Sequence, residues 1–277
     1  MPILISVLIA VLAAAVAVCC ITLVLFRYES VNAPETTPPL TGQAMLTAWG
    51  LGVAVLFVAG LAYPLGFLRL LRRPRGAASA GRPEIVLLHG LYHNPSAWLF
   101  FAPALARGLG CRTRILGYNS FGAASFEDIA RDLTSQVHDI LDNSPRIMLV
   151  GHSMGGLLVR RLAADERIAR ATAAAVTLGA PHHGSKVAAL AVVGRAGRQL
   201  LPDSPLFPQL AALPSPQTVP ILNIISPADD MVLPNASCRM AGPGWTAWKC
   251  PPASHMALLH HPAVIRTTVD FLRSHLA

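Results

Sequence analysis

The sequence predicts an α/β fold, a mostly parallel sheet covered by helices, carried behind a two-helix membrane hairpin. Three observations lead there. The 277 residues are 53% apolar and only 13% charged, and the excess is concentrated in two uncharged stretches, residues 3–26 and 45–68. From Arg82 onward short aliphatic runs alternate with helical patterns, the signature of successive βα units. No internal repeat or low-complexity linker divides residues 83–277, so they make one domain.

At about 1.5 Å per residue, either apolar stretch covers the ~30 Å hydrocarbon core of a bilayer. Residues 1–75 are therefore assigned to a membrane hairpin. A cleaved signal peptide fits the first stretch poorly, because the only positive charge ahead of it is the amino terminus and the run is too long for a signal core. A lipoprotein cleavage site before Cys19 and Cys20 would need a small residue where Val18 stands. For the second stretch a buried core helix is the alternative; its length and the lack of charge until Arg69 favour a span.

Arg69, Arg72, Arg73, Arg75 and Arg82 follow the second stretch, whereas the intervening segment carries Arg27 against Glu29 and Glu35. The positive-inside rule then puts both ends in the cytoplasm and the short "NAPETTPPLTG" loop outside. Of the net charge of +8, residues 1–82 hold half, six arginines against two glutamates. Such a juxtamembrane cluster points to anionic lipid headgroups as partners and not to nucleic acid. Cys238 and Cys250 flank "RMAGPGWTAWK" as though across a hairpin; a disulfide there would imply an oxidising compartment, and two reduced core thiols are the alternative. The cysteines show no metal-ligand spacing.

Within the domain, "EIVLLHG" reads as a buried strand. "NPSAWLFFAPALARGLG" starts a helix with Asn94 as N-cap, Pro95 at its first position and Gly108 or Gly110 near its end. "RTRILGY" is a second strand. In "SFEDIARDLTSQVHDILDN" Phe126, Ile129, Leu133, Val137 and Ile140 recur at helical spacing behind a Ser125/Asp128 capping box. "RIMLVGHS" is a third strand running straight into the helix "MGGLLVRRLAADE". "AAAVTLGAP" and "VPILNIISP" are two more strands, and "PAVIRTTVDFLRSHL" is the closing helix. Residues 186–220, rich in Ala, Leu and Pro, break this rhythm and are too long for an ordinary connection. They are expected to form a lid or acyl-binding cap, with plain helical packing on the sheet as the alternative.

"VGHSMGG" (150–156) sets Ser153 at a tight turn between a buried strand and a helix, where glycines at 151, 155 and 156 leave room. A serine hydroxyl is a weak nucleophile until a base takes its proton. Such folds bring the partners in the order Ser, acid, His, each from the loop after a later strand. "IISPADDMVLP" supplies Asp229 and Asp230, of which Asp229 is nearer the strand end and fits an Asp-x-x-Val pattern with Val232. "PPASHMALLHHP" supplies His255 in a pre-helical loop, preferred over His260 and His261 at the edge of the last helix. The oxyanion needs backbone donors, and the N–H groups of Met154 and Leu91 are the candidates. His89 and Gly90 shape the loop that carries Leu91.

Together "VLLHGL", "VGHSMGG", "APHHGS", "SPADDMV" and "SHMALLHHP" resemble the bacterial triacylglycerol lipase/esterase family of the α/β-hydrolase fold over residues 84–275. The resemblance implies Ser153 as nucleophile, Asp229 as acid, His255 as base, and Leu91 and Met154 as oxyanion donors. In "PHHGS" it makes His182 and His183 structural. It implies no cofactor, and the calcium site of secreted relatives finds no residue-by-residue match. The hairpin departs from the secreted pattern and turns the expected substrate from bulk triglyceride to a lipid or amphiphilic ester at a membrane. An acyltransferase or thioesterase on the same triad is the enzymatic alternative, and a non-catalytic hydrolase-like binding protein the other.

Overall fold

A computed structural model describes residues 1–76, 81–214 and 219–276. Six strands, β1 (Glu84–Leu88), β2 (Thr113–Leu116), β3 (Ile147–His152), β4 (Thr172–Leu178), β5 (Ile221–Ile225) and β6 (Trp245–Lys249), form one sheet in the order β2-β1-β3-β4-β5-β6, every neighbouring pair parallel. Helices cover both faces, which is why β1, β3 and β5 are buried along their whole length. Alternation along the strands divides the core in two. Ile85, Leu87, Met148, Val150, Leu222 and Ile224 face the helices Phe101–Leu109 and Pro262–Arg273. Val86, Leu88, Leu149 and Ile221 face the helices Phe126–Leu141 and Met154–Leu162.

Local signals set the element ends. The Ser125/Asp128 capping box is formed in both directions, a contribution of about 1 kcal/mol. Asn94 caps as expected, but what it caps is a 3-10 turn, Pro95–Trp98, and the α-helix proper begins at Phe101 and ends on Gly110 in the left-handed conformation. The helix after Ser153 stops at Leu162 and a separate one, Glu166–Ala171, is capped by Asp165. Between Cys238 and Cys250 there is no hairpin: Trp245–Lys249 adds to the sheet as its parallel edge strand. Both cysteines are free buried thiols, and burial pushes Cys238 well above the usual thiol range and Cys250 up to about 11.

The two apolar stretches form antiparallel helices, α1 (Pro2–Asn32) and α2 (Gly42–Ala62), the second continued by a 3-10 turn to Phe67. Both are long and apolar enough to cross a membrane. They do not stand apart from the domain. The buried positions Ala15, Cys19, Thr22, Phe26 and Glu29 recur at helical spacing and make one docking face on α1. On α2, Gly52 packs so closely on Ser254 that a Cβ there would lie 2.9 Å from Oγ, and Val55 joins the domain core. The Lys186 ammonium meets Glu29 at 2.7 Å.

Candidate active site

The chain passes from β3 to the helix Met154–Leu162 through Ser153 at φ 57° and ψ −126°. A residue with a Cβ takes that left-handed region at a cost of about 1–3 kcal/mol and stays only where its surroundings impose it. Here the Ser153 N–H donates to the Leu178 carbonyl at 2.8 Å, and its own carbonyl accepts from Gly156 at 2.8 Å. The flanking glycines answer to steric need. A Cβ on Gly151 would come within 2.2 Å of the Gly155 carbonyl oxygen, and one on Gly155 within 2.2 Å of the Leu88 oxygen.

The loop after β1 runs directly against this turn, since a Cβ on Gly90 would lie 2.9 Å from the Ser153 Cβ. Leu91 follows and lines the same cavity as Ser153. Tyr92 holds the loop, at φ 56° with its N–H donating to Ser120 Oγ at 2.8 Å. Met154 opens its helix, so its N–H belongs to the turn of amides without an intrahelical acceptor, where developing negative charge is favoured.

Asp229 and His255 are both buried, and His255 Nδ1 lies 2.8 Å from Asp229 Oδ2 and 3.0 Å from Oδ1. Oδ1 also accepts from the backbone N–H of Met231 at 3.0 Å and of Val232 at 2.9 Å, the physical content of the Asp-x-x-Val spacing. Burial pulls the His255 imidazole toward its neutral form, but the charge and hydrogen bond of Asp229, with Asp230 adding to them, outweigh it and hold the pKa above 6.5. Gly179, at φ 53°, sits beneath the pair; a Cβ there would be 2.9 Å from Asp229 Oδ2 and 3.3 Å from His255 Nδ1. That glycine, in "TLGAP", carries a signal of its own, since a glycine ending a strand two residues before a proline points to a tight backbone approach.

Asp230 faces away from the imidazole ring but not from the histidine. Its Oδ1 accepts the His255 backbone N–H at 3.0 Å, and its Oδ2 accepts the Thr22 hydroxyl of α1 at 2.5 Å. Burial raises its pKa despite both donors. Thr22 carried no signal in the sequence because its role depends on where a distant helix docks. On the other side of the ring, His152 places Nε2 3.1 Å from the His255 carbonyl oxygen, and burial, then repulsion by His255, keep it neutral.

The remaining histidines have other places. His261 Nδ1 accepts the Ala263 N–H at 3.2 Å and caps the last helix, and His260 packs its ring on Phe100. His182, edge-on to Trp245, is pushed by burial down to about 3, and neither it nor His183 lines the cavity. Among the described residues no group of three or more His, Cys, Asp or Glu side chains could hold a metal ion.

Ser153 and His255 open onto one cavity of about 360 Å³, within the range of small-molecule sites. The insertion supplies part of its wall through Val187, Ala188, Leu190, Ala191 and Leu200, from short helical turns at Lys186–Leu190 and Arg195–Arg198 and the residues around them. A further helix, Leu206–Ala211, packs on the domain, and residues 215–218 of the expected cap lie outside the described residues. Val18, Ile21 and Thr22 of α1 complete the lining.

Residues 85–216 match the model of the alpha/beta hydrolase family, a span that holds Ser153 and stops short of Asp229 and His255. Protein phosphatase methylesterase 1 of Rattus norvegicus is 34% identical over 91 residues, 30% of this chain and 24% of that protein. An sn-1-specific diacylglycerol lipase of Xenopus tropicalis is 33% identical over 94 residues, 32% of this chain and 29% of its own. The matched segment thus spans only about a quarter of the length of the methylesterases. Among solved structures, Aspergillus fumigatus lipase B superposes with a TM-score of 0.64 at 16% identity, covering 74% of this chain and 56% of that one. The mature Bacillus licheniformis lipase BlEst2 superposes with a TM-score of 0.59 at 18% identity, covering 73% and 96%. At such identities the structural likeness speaks for the fold.

Proposed function

We propose that this chain, which belongs to the alpha/beta hydrolase family, is a membrane-anchored serine hydrolase of the esterase/lipase type that cleaves carboxylic esters of lipids or amphiphiles through an acyl-enzyme. One observation carries the reading: Ser153 and His255 open onto the same apolar cavity while the far nitrogen of His255 is held by buried Asp229.

In this reading His255 Nε2 takes the Ser153 proton as Oγ attacks the ester carbonyl carbon. The carbonyl oxygen becomes an oxyanion between the N–H groups of Leu91 and Met154, donors worth about 10²- to 10³-fold each. Collapse breaks the bond to the alkoxy oxygen, which leaves as the alcohol with the proton from His255. Water then repeats the sequence on the acyl-enzyme and releases the acid. Asp229 fixes the tautomer and stabilises the imidazolium. The hairpin keeps the domain at a membrane, with the arginines that follow α2 placed to meet anionic headgroups.

The test is fluorophosphonate labelling of membranes carrying wild type and Ser153→Ala, followed by p-nitrophenyl esters of increasing chain length. Labelling and hydrolysis confined to the wild type are expected, with kcat falling on the order of 10⁶-fold in the variant. Equal labelling of both proteins would assign the nucleophile elsewhere.

A further inference from the structure

In the sequence α1 and α2 read as spans with a loop on the far side of the bilayer from the domain. The contacts describe another arrangement. At the loop, the Asn235 N–H donates to Thr37 Oγ1 at 3.0 Å and the Ala236 N–H to the Thr36 carbonyl at 2.8 Å. At the opposite end of α2, Asn94 Nδ2 donates to the Tyr63 carbonyl at 2.9 Å, and a Cβ on Gly66 would fall 2.0 Å from Asn94 Oδ1. Gly52, midway, rests on Ser254. One folded domain therefore touches the loop before α2, the middle of α2 and the turn that follows it. From Gly42 to Phe67 that is roughly 37 Å at 1.5 Å per residue, more than the ~30 Å of hydrocarbon. A bilayer crossed by α2 in this pose would have to contain the loops that carry Asp229 and His255, with irregular backbone against lipid.

The opposite face of the hairpin is bare and apolar. Ile3, Ile9, Val24, Leu46 and Leu61 are among its exposed side chains, and no charge interrupts residues 3–26. A contiguous run of exposed apolar side chains along two helices marks a surface that calls for an apolar occupant. That face is continuous with the cavity. Val18 and Ile21 are 41% and 52% exposed, yet both line the space in front of Ser153 together with the exposed Leu190 of the cap.

We propose that the hairpin lies across the active-site edge of the domain with its bare face sunk in one leaflet, so that α1 is a wall of the substrate site and a bilayer-resident acyl ester enters past Val18 and Ile21. The occupant is lipid. The membrane pose stands on the contacts alone, and the role of the wall rests on the ester-hydrolase reading. Helices with one apolar face buried at the headgroup boundary are a known mode of membrane attachment, and here both of their other faces are taken by each other and by the domain.

Two measurements on the full chain in membranes test this. In sealed right-side-out and inverted vesicles, impermeant maleimide is applied to Glu35→Cys, in the loop, and Asp203→Cys, on the cap, with the wild-type background subtracted. Both positions are exposed. Modification of the two from the same side is expected; modification from opposite sides would establish two spans and overturn the pose. Separately, Ile21→Trp is expected to lower the ratio of p-nitrophenyl dodecanoate to butyrate hydrolysis at least tenfold, and an unchanged ratio would remove α1 from the substrate wall. A folded wild type that takes no fluorophosphonate label would instead sink the hydrolase reading and the wall with it, while the maleimide result still decides the pose.

Discussion

Around Ser153 the chain is held by backbone against backbone, with two glycines at van der Waals limits, a carbonyl from β4 and an imposed left-handed serine. Along α1 and α2 it is held by side chains, a hydroxyl on a carboxylate, one ion pair and apolar packing over small residues. Backbone closure tolerates almost no substitution and leaves a fixed signature in the sequence. Side-chain docking tolerates many sequences, and a helix made for lipid looks the same whether it threads the bilayer or lies against a protein. The two regions meet at His255, whose ring belongs to the first and whose backbone N–H, through Asp230, belongs to the second.

The largest effect is expected on the backbone-built side. Asp229→Asn should lower kcat by about 10⁴-fold, because the amide can hold the imidazole in the wrong tautomer and cannot stabilise its cation. The same variant has a signature in pH. The base must be neutral, so wild-type kcat/KM should fall on acidification with a midpoint above pH 6.5, where the charge of Asp229 holds the imidazole. With that charge gone, burial dominates and the midpoint should drop below 6.5. A midpoint that stays in place would mean that another group governs the limb. In stability the sign is opposite: the raised pKa makes the charged pair a stabilising contact below pH 6.5 that is lost as pH rises through the folded value.

Ser153 and Asp229 stand out in the sequence because each follows a strand whose pattern is visible, and His255 because it precedes the last helix; the glycines that flank Ser153 are demanded by contacts too close for a side chain. Choosing Asp229 over Asp230 was possible for the same reason, since the Val232 N–H that it accepts lies three residues on. What lay beyond the sequence was of another kind. β6 is a half-exposed edge strand without a buried run, and Gly179 acts through a pair contributed from residues 229 and 255. Thr22 lies 208 residues from its partner, inside a stretch whose composition speaks only of lipid.

A smaller effect should separate docking from catalysis. Gly52→Leu sets a side chain where the Ser254 hydroxyl already lies 2.9 Å from a bare Cβ, so the hairpin must lift from the domain locally. Overpacking of this kind costs about 1–3 kcal/mol. The expected readout is a lower Tm for the full chain in detergent with the domain still folded by circular dichroism. No change in Tm would mean that α2 is not seated on Ser254 in solution.

The smallest expected effect is the most discriminating. Thr22→Val keeps the shape of α1 and removes the hydroxyl that donates to Asp230 Oδ2 at 2.5 Å. A hydrogen bond to a charged or partly charged group is worth about 1.5–3 kcal/mol, so Asp230, already raised by burial, should lose part of its hold on the His255 N–H. If α1 were an anchor only, the variant would leave the acid limb and kcat where they are. If the membrane helix helps to set the histidine, kcat should fall about tenfold with KM little changed. Asp230, protonating more readily, should also let the acid limb move to lower pH. Thr22→Ser, which restores the donor, should bring both back. Recovery in serine but not valine would tie the effect to the hydrogen bond from Thr22 to Asp230, because serine loses the methyl and keeps the donor, whereas valine keeps the shape and loses the donor.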